Sequence, residues 1–367
     1  MKKYRIIISG GGTGGHIFPA ISIAKAIERY IDNVEFLFVG ANDRMEMEKV
    51  PEAGYDIEGL WISGFQRRVS FRNLIFPFKL IGSLLKSKRI ISKFQPDLVI
   101  GTGGYASGPI LFVASRKNIP SLIQEQNSYP GITNKILSRY VTKICVAYEY
   151  MERFFAPEKL IITGNPIRKD ILNFRDKKDA AHDLFLTDKN NPTVLVIGGS
   201  LGARSINRAI SEHINLFREH KINLIWQTGV SFEESAKETV AKLGAKGISS
   251  YKFIKEMDLA YSVADIIVSR AGAIAISELC CIGKPVILVP SPNVSENHQY
   301  KNAQSLVNKN AALLVEDVKA NRKLVDTLIE LIYDKEKQID LSKNIRNIAI
   351  KDAAENIAKI AIDLIKR

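Results

Sequence analysis

Six of the seven residues from Gly10 to His16 (Gly-Gly-Gly-Thr-Gly-Gly-His) are glycine or histidine. They follow the apolar run Tyr4–Ile8 and precede a helical pattern. A strand that ends in glycines at a helix start presents backbone N–H groups with no side chains in the way, and the helix dipole adds roughly half a positive charge there. Such a turn suits a phosphate-bearing group, with the His16 imidazole at its rim. A second glycine-rich turn, Gly101 to Pro109, lies in the same half. Two such turns suggest one crevice holding a diphosphate, with Gly103, Gly104 and Tyr105 placed to meet it. A third, Gly198 to Arg204, sits in the other half and offers the Ser200 hydroxyl. A fourth, Gly272 followed by Ala273, Ile274 and Ala275, opens a helix carrying Glu278, whose carboxylate suits the vicinal hydroxyls of a ribose. Each has a plain alternative: a turn that only redirects the chain, a histidine buried for packing, a surface glutamate. Arg168 and Arg270 are candidate charge partners.

Several chemistries are disfavoured. The spacing Gly10-x-Gly12-x-x-Gly15 matches a dinucleotide fingerprint, but the second strand ends at Val39-Gly40 and the nearest acid, Asp43, lies beyond it. No Walker lysine motif is present, so a P-loop kinase is not expected. There is no Asp-x-Asp pair to carry a divalent cation, and the five histidines make no metal cluster. No metal and no cofactor are expected. The leaving charge of a diphosphate would instead be met by helix N-termini and arginine. The three cysteines, Cys145, Cys280 and Cys281, have no metal spacing and read as buried thiols of a reduced compartment. Nothing at the N-terminus resembles a signal peptide, and no stretch approaches 18 consecutive apolar residues.

These loops need strands to end and helices to begin them. Strand-like segments at Ile6–Ser9, Val34–Val39, Asp97–Ile100, Ser121–Ile123, Lys143–Ala147 and Lys159–Thr163 alternate with helical ones, the first at Pro19 to about Tyr30. The pattern then restarts at Thr193–Ile197 and continues through Asn223–Gln227, Tyr251–Ile254, Ile266–Ser269 and Val286–Val289. With 367 residues, the reading is α/β: two Rossmann-like, doubly wound parallel-sheet domains facing a cleft, 1–164 and 165–342. The last helical stretch, about 343–367, packs back on the first domain or stays with the second. In open α/β sheets ligands sit at the carboxyl ends of strands, where all four loops lie.

Net charge is +13 and the isoelectric point about 9.4. The stretch Gly59–Pro96 contains no Asp or Glu, yet holds Arg67, Arg68, Arg72, Lys79, Lys86, Lys88, Arg89 and Lys93 among Trp61, Phe65, Phe71, Phe76 and Phe78. Apolar bulk flanked by cations fits docking on an anionic membrane surface. An ordinary core helix with a basic face is the alternative. No nucleic-acid recognition motif is present, and no nucleic-acid partner is expected.

Taken together, the chain resembles the bacterial MurG family of glycosyltransferases. The motifs that carry the resemblance run in order along nearly the whole chain. They are Gly11–His16, Gly101–Tyr105, Glu125-Gln126-Asn127, Gly164-Asn165-Pro166-Ile167-Arg168, Gly198–Arg204, Ser269–Ala273 through Glu278, and His298-Gln299-x-x-Asn302-Ala303. The resemblance implies a GT-B fold and an inverting, metal-independent transfer of N-acetylglucosamine from UDP-N-acetylglucosamine. The acceptor would be a lipid-linked diphosphate, undecaprenyl-diphospho-muramoyl-pentapeptide, in peptidoglycan synthesis. It implies a peripheral enzyme on the cytoplasmic face of the bacterial plasma membrane. By family position Ile254 meets uracil through its backbone, and Glu278 the ribose. Ser200 with Ala273, Ile274 and Ala275 would meet the diphosphate, and Gln299 the sugar. Arg168 and Asn127 reach the donor, and Thr13, Gly14 and Gly15 close around it or around the acceptor diphosphate. Where the family has two consecutive glutamines, this chain has His298-Gln299. His16 is the expected general base, with Glu125 or another carboxylate a candidate to share the task. The rival readings are a different acceptor on the same fold, a nonhydrolysing UDP-sugar epimerase, and a basic two-domain protein that binds nucleotide or nucleic acid without chemistry.

Overall fold

The computed structural model describes residues 2–64, 71–172, 177–199 and 201–366, with the backbone alone at 71–74, 169, 170 and 295. Ser200 therefore lies outside the described residues, as do Phe65, Arg67 and Arg68. The chain divides into two compact units, one of Met1–Ile167 together with Ile350–Arg367, the other of Arg168–Ala349.

The first unit is built on a parallel seven-stranded sheet. Its strands are β1 (Tyr4–Gly10), β2 (Val34–Ala41), β3 (Asp56–Leu60), β4 (Leu98–Gly103), β5 (Ser121–Glu125), β6 (Lys143–Val146) and β7 (Leu160–Ile162), in the order β3-β2-β1-β4-β5-β6-β7. Winding runs outward from the β1/β4 junction in both directions, so the chain's switch point lies where β1 and β4 end side by side. Both glycine-rich turns of this half leave from that junction. The β1–β4 register slips between Ser9 and Gly10, so Gly10 pairs with Gly103. Side chains alternate across the sheet: Ile6 and Ile8 join one apolar cluster and Ile7 the other. Both faces are covered, which is why these strands read as unbroken apolar runs.

Four helices matter for the site: α1 (Gly14–Glu28), α2 (Glu46–Glu52), α3 (Phe71–Phe94) and α4 (Ser107–Arg116). The first begins at Gly14, five residues before the expected Pro19, so His16 belongs to its first turn. The terminal stretch is two elements. The helix Lys335–Asn347 stays in the second unit, while Ala353–Lys366 returns to the first and packs on α1 through Ile357, Ala358, Ala361 and Leu364.

The second unit repeats the plan with β8 (Thr193–Ile197), β9 (Asn223–Gln227), β10 (Ile248–Tyr251), β11 (Ile266–Ser269), β12 (Val286–Leu288) and β13 (Leu313–Leu314). Their order is β10-β9-β8-β11-β12-β13, all parallel, with the switch point between β8 and β11. The turns at Gly198 and Gly272 leave from there. The third strand expected in this half, Tyr251–Ile254, is displaced: β10 pairs Ile248–Tyr251 with Leu224–Gln227, and Ile254 lies beyond it in the following loop. Cys145 and Cys280 are buried, and burial pushes both thiols up to about 12.

Candidate functional site

In the first unit the two glycine turns meet backbone to backbone. A Cβ on Gly104 would stand 2.3 Å from the carbonyl oxygen of Gly11, and Gly104 sits at φ +81°, so neither space nor conformation admits a side chain. At that seam there is no gap for a diphosphate, and an anion would have to lie above it. The Tyr105 ring covers Gly12, whose added Cβ would lie 3.3 Å from ring atom Cε1. Thr13 is the extended N-cap of α1, and the amides of Gly14 and Gly15 follow in its first turn.

His16 is half-buried and fixed from two sides. The hydroxyl of Thr102, on β4, donates to the His16 carbonyl at 2.8 Å, and His16 Nδ1 lies 3.0 Å from Gln126 Oε1. Which nitrogen carries the proton follows from the surrounding amides. Gln126 Nε2 donates to the Thr102 carbonyl at 2.6 Å and also to the Gln124 side chain. Gln124 Nε2 donates to Asn165 Oδ1 at 2.8 Å, and Asn165 Nδ2 returns to the Gln126 carbonyl at 3.0 Å. Because the chain of amides ends on backbone carbonyls at both ends, Gln126 must turn its oxygen to the imidazole. Nδ1 therefore carries the hydrogen and the lone pair is on Nε2, the arrangement a general base needs.

Glu125 plays a different part. Its carboxylate is 2% exposed and accepts from the N–H of Asn127 at 3.0 Å, Asn127 Nδ2 at 3.2 Å, the N–H of Gly131 at 3.1 Å and Asn134 Nδ2 at 2.8 Å. Four donors on two oxygens make it the anchor of the loop after β5, with Asn127 held against it.

In the second unit the helix Ala273–Ile282 starts at the end of β11, with Gly272 as an extended N-cap. The first-turn N–H groups of Ala273, Ile274 and Ala275 run along the helix axis toward its open end, the geometry of an anion site. Glu278, one turn on, is 9% exposed and takes Arg168 Nε at 3.1 Å. The expected carboxylate and the expected arginine are thus a pair. Arg270 is spoken for elsewhere: it donates to the Val289 carbonyl at 2.9 Å, to Ser205 Oγ at 3.1 Å and to Asp317. It braces loops and does not point a free cation outward. Ile254 is 3% exposed and its N–H already donates to Gln227 Oε1 at 2.9 Å, so a base meeting this backbone has the carbonyl to use or must displace Gln227. Gln299 opens the helix His298–Val307 and its Oε1 accepts from the Ser291 N–H at 2.8 Å.

Two models of glycosyltransferase family 28 match the chain, the N-terminal domain over residues 6–146 and the C-terminal domain over residues 193–357. The chain belongs to glycosyltransferase family 28. Its family-28 relatives include proteins named UDP-N-acetylglucosamine--N-acetylmuramyl-(pentapeptide) pyrophosphoryl-undecaprenol N-acetylglucosamine transferase. That of Flavobacterium psychrophilum is 50% identical over 100% of this chain and 99% of its own length. That of Cytophaga hutchinsonii is 52% identical over 99% and 98%. Among solved structures, MurG of Acinetobacter baumannii is similar with a TM-score of 0.80 at 27% identity, covering 99% of this chain and all of that one. The fold is thus the GT-B type expected. A UDP-GlcNAc 2-epimerase from Neisseria meningitidis shares the fold at 14% identity and a TM-score of 0.69.

Residues that sequence reasoning missed are the supports. Gln126, Gln124 and Asn165 set the imidazole, Gln227 holds the Ile254 loop, and Asp317 holds Arg270. Gln126 and Asn165 stand inside motifs that were read, but their partners come from neighbouring strands and leave no local signal. Glu46 was not read at all. It is fully buried, and its carboxylate accepts from the Gly12 N–H at 3.1 and 3.2 Å. One amide of the first glycine turn therefore faces inward, away from any bound anion.

Proposed function

We propose that the chain transfers N-acetylglucosamine from UDP-N-acetylglucosamine to undecaprenyl-diphospho-muramoyl-pentapeptide, with inversion, in peptidoglycan synthesis. The observation that carries this is identity near 50% along the full length to transferases named for that reaction. The first unit supplies the base and meets the acceptor. His16 Nε2 takes the proton of the attacking hydroxyl while Nδ1–H stays on Gln126 Oε1, so the growing imidazolium keeps its partner throughout. The second unit holds the donor. Glu278 takes the ribose, the amides of Ala273, Ile274 and Ala275 with Ser200 take the diphosphate, and Gln299 takes the sugar. As UDP departs, its charge grows toward first-turn amides already oriented, which costs no reorganisation at the moment of transfer.

Neutralisation by amides and helix ends is the basis for metal-independent chemistry. Among the described residues no group of three His, Cys, Asp or Glu is arranged to hold a metal ion. Peripheral membrane attachment is supported by α3, which exposes Ile75, Phe78, Ile81 and Leu85. Among the described residues no helix is long and apolar enough to cross a membrane.

The deciding experiment follows UDP release from UDP-N-acetylglucosamine with and without the lipid acceptor, each with and without EDTA. The expected result is release only with acceptor, accompanied by sugar transfer and unaffected by the chelator. An epimerised donor, or release with a different acceptor only, overturns the assignment, and loss of turnover in EDTA overturns the metal-independent mechanism.

A further inference from the structure

We propose that Glu46 is a positioning residue for the proposed transfer: its buried carboxylate pins the glycine turn that carries His16, and so sets where the imidazole stands. The proposal rests on the reading of His16 as the base, and its central observable does not.

Glu46 is the first residue of α2, and its side chain runs back beneath the ends of two neighbouring strands. Oε1 accepts the Ala41 N–H at 3.0 Å, at the end of β2, and both oxygens share the Gly12 N–H, just past the end of β1. The sequence clears a passage for it. A Cβ on Gly11 would fall 2.1 Å from Oε1, and one on Gly40 would fall 2.5 Å from Cγ. Two glycines, one just past β1 and one in β2, thus leave room for one glutamate side chain.

The turn needs such an anchor. Five of the six residues Gly10–Gly15 are glycine, and glycine loses more backbone freedom on ordering than any other residue. Gly12 sits at φ +86°, with the Tyr105 ring on one side and the Glu46 carboxylate taking its N–H on the other. Thr102 and Gln126 hold the far end of the turn through the His16 carbonyl and ring. Glu46 holds its middle by side-chain hydrogen bonds, opposite the packed Tyr105 ring. The carboxylate also limits what the turn can bind. It takes the Gly12 amide and places negative charge beneath it, so a phosphate approaching here meets the α1 first turn, Gly14 and Gly15, and not Gly12.

Glu46→Gln keeps the size of the side chain but sets an N–H2 group against the Gly12 N–H or leaves one oxygen to serve both amides. In the full chain, hydrogen exchange of the peptide spanning Gly10–His16 should accelerate at least tenfold. A displacement of the imidazole of the order of 1 Å should lower kcat by about 10- to 100-fold. The donor KM should stay within threefold, because the donor contacts proposed above lie in the second unit, and the melting temperature should stay near that of the parent. Should Glu46→Gln fail to fold, Glu46→Asp, which keeps the charge but falls short of Gly12, is expected to give the same pattern. Unchanged exchange in the Gly10–His16 peptide overturns the proposal, as does kcat within twofold of the parent. An equal loss in kcat and donor KM together with a lowered melting temperature also overturns it, because that is the signature of a residue serving stability alone. Exchange reports on Glu46 whichever group takes the proton, whereas near-parent turnover in His16→Ala would sink the base assignment by itself.

Discussion

The imidazole of His16 is set by amides and not by a carboxylate. A carboxylate partner would stabilise the protonated ring; Gln126 fixes the tautomer without adding charge. His16→Ala is expected to lower kcat by about 10²–10⁴ with the donor KM little changed, and a loss under threefold rejects the assignment. Gln126→Leu, which leaves both ring nitrogens able to carry the proton, should lower kcat by roughly tenfold or more by the same reasoning. Steady-state kinetics at saturating acceptor checks both. At this scale the glycine turns, His16 and Glu278 were legible, because backbone access and a titratable ring leave a mark in residue type and spacing. The supports were not. Glu46 follows Arg44-Met45 and precedes Met47-Glu48, the look of any surface helix start. Only the approach of Gly12 and Ala41 in space gives it a task. Glu125 was legible as a motif member, but its four donors show that it holds a loop.

Elements were read well where apolar runs were long and poorly where tertiary contacts override local preference. α1 starts among glycines and carries Pro19 inside it. Proline favours the first helical turn and glycine is a weak helix former, so the sequence alone places the start at Pro19. The bonds from Thr102 and Gln126 extend the helix back to Gly14. β13 has two residues, too few for any period to show. α3 has a clear division of labour. Lys86 donates to the Gly59 carbonyl at 2.7 Å and Lys79 to Ser63 Oγ at 3.2 Å, so the first cation is tied to β3 and the second to the segment after it. Phe78 is 69% exposed and Leu85 65%, seven residues apart on one face. Phe78→Ser with Leu85→Ser should weaken binding to vesicles containing phosphatidylglycerol by roughly tenfold per residue, each lost side chain forfeiting more than about 1.4 kcal/mol of apolar burial. Sedimentation with vesicles checks this, and unchanged binding removes α3 from the docking surface.

At the scale of the molecule, the sequence showed two repeated α/β halves but not that the first is discontinuous. No local signal in 343–367 says which unit it serves. The break falls at the short stretch after Asn347, where one helix ends and Ala353 begins another. Ile357 is fully buried against α1. Ile357→Ala should cost about 2–5 kcal/mol of unfolding free energy, lowering the transition of the first unit while leaving that of the second in place; a single melt displaced as a whole would contradict this. The clasp has a consequence in time. On the ribosome, the underside of α1 is made early, yet the helix that covers it emerges only after all of Arg168–Ala349 has been synthesised. At about 5–20 residues per second that is an interval of roughly 10 to 40 s. Throughout it, a greasy strip beside the nascent site lies open to chaperones, to other nascent chains and to the bilayer the enzyme is proposed to visit.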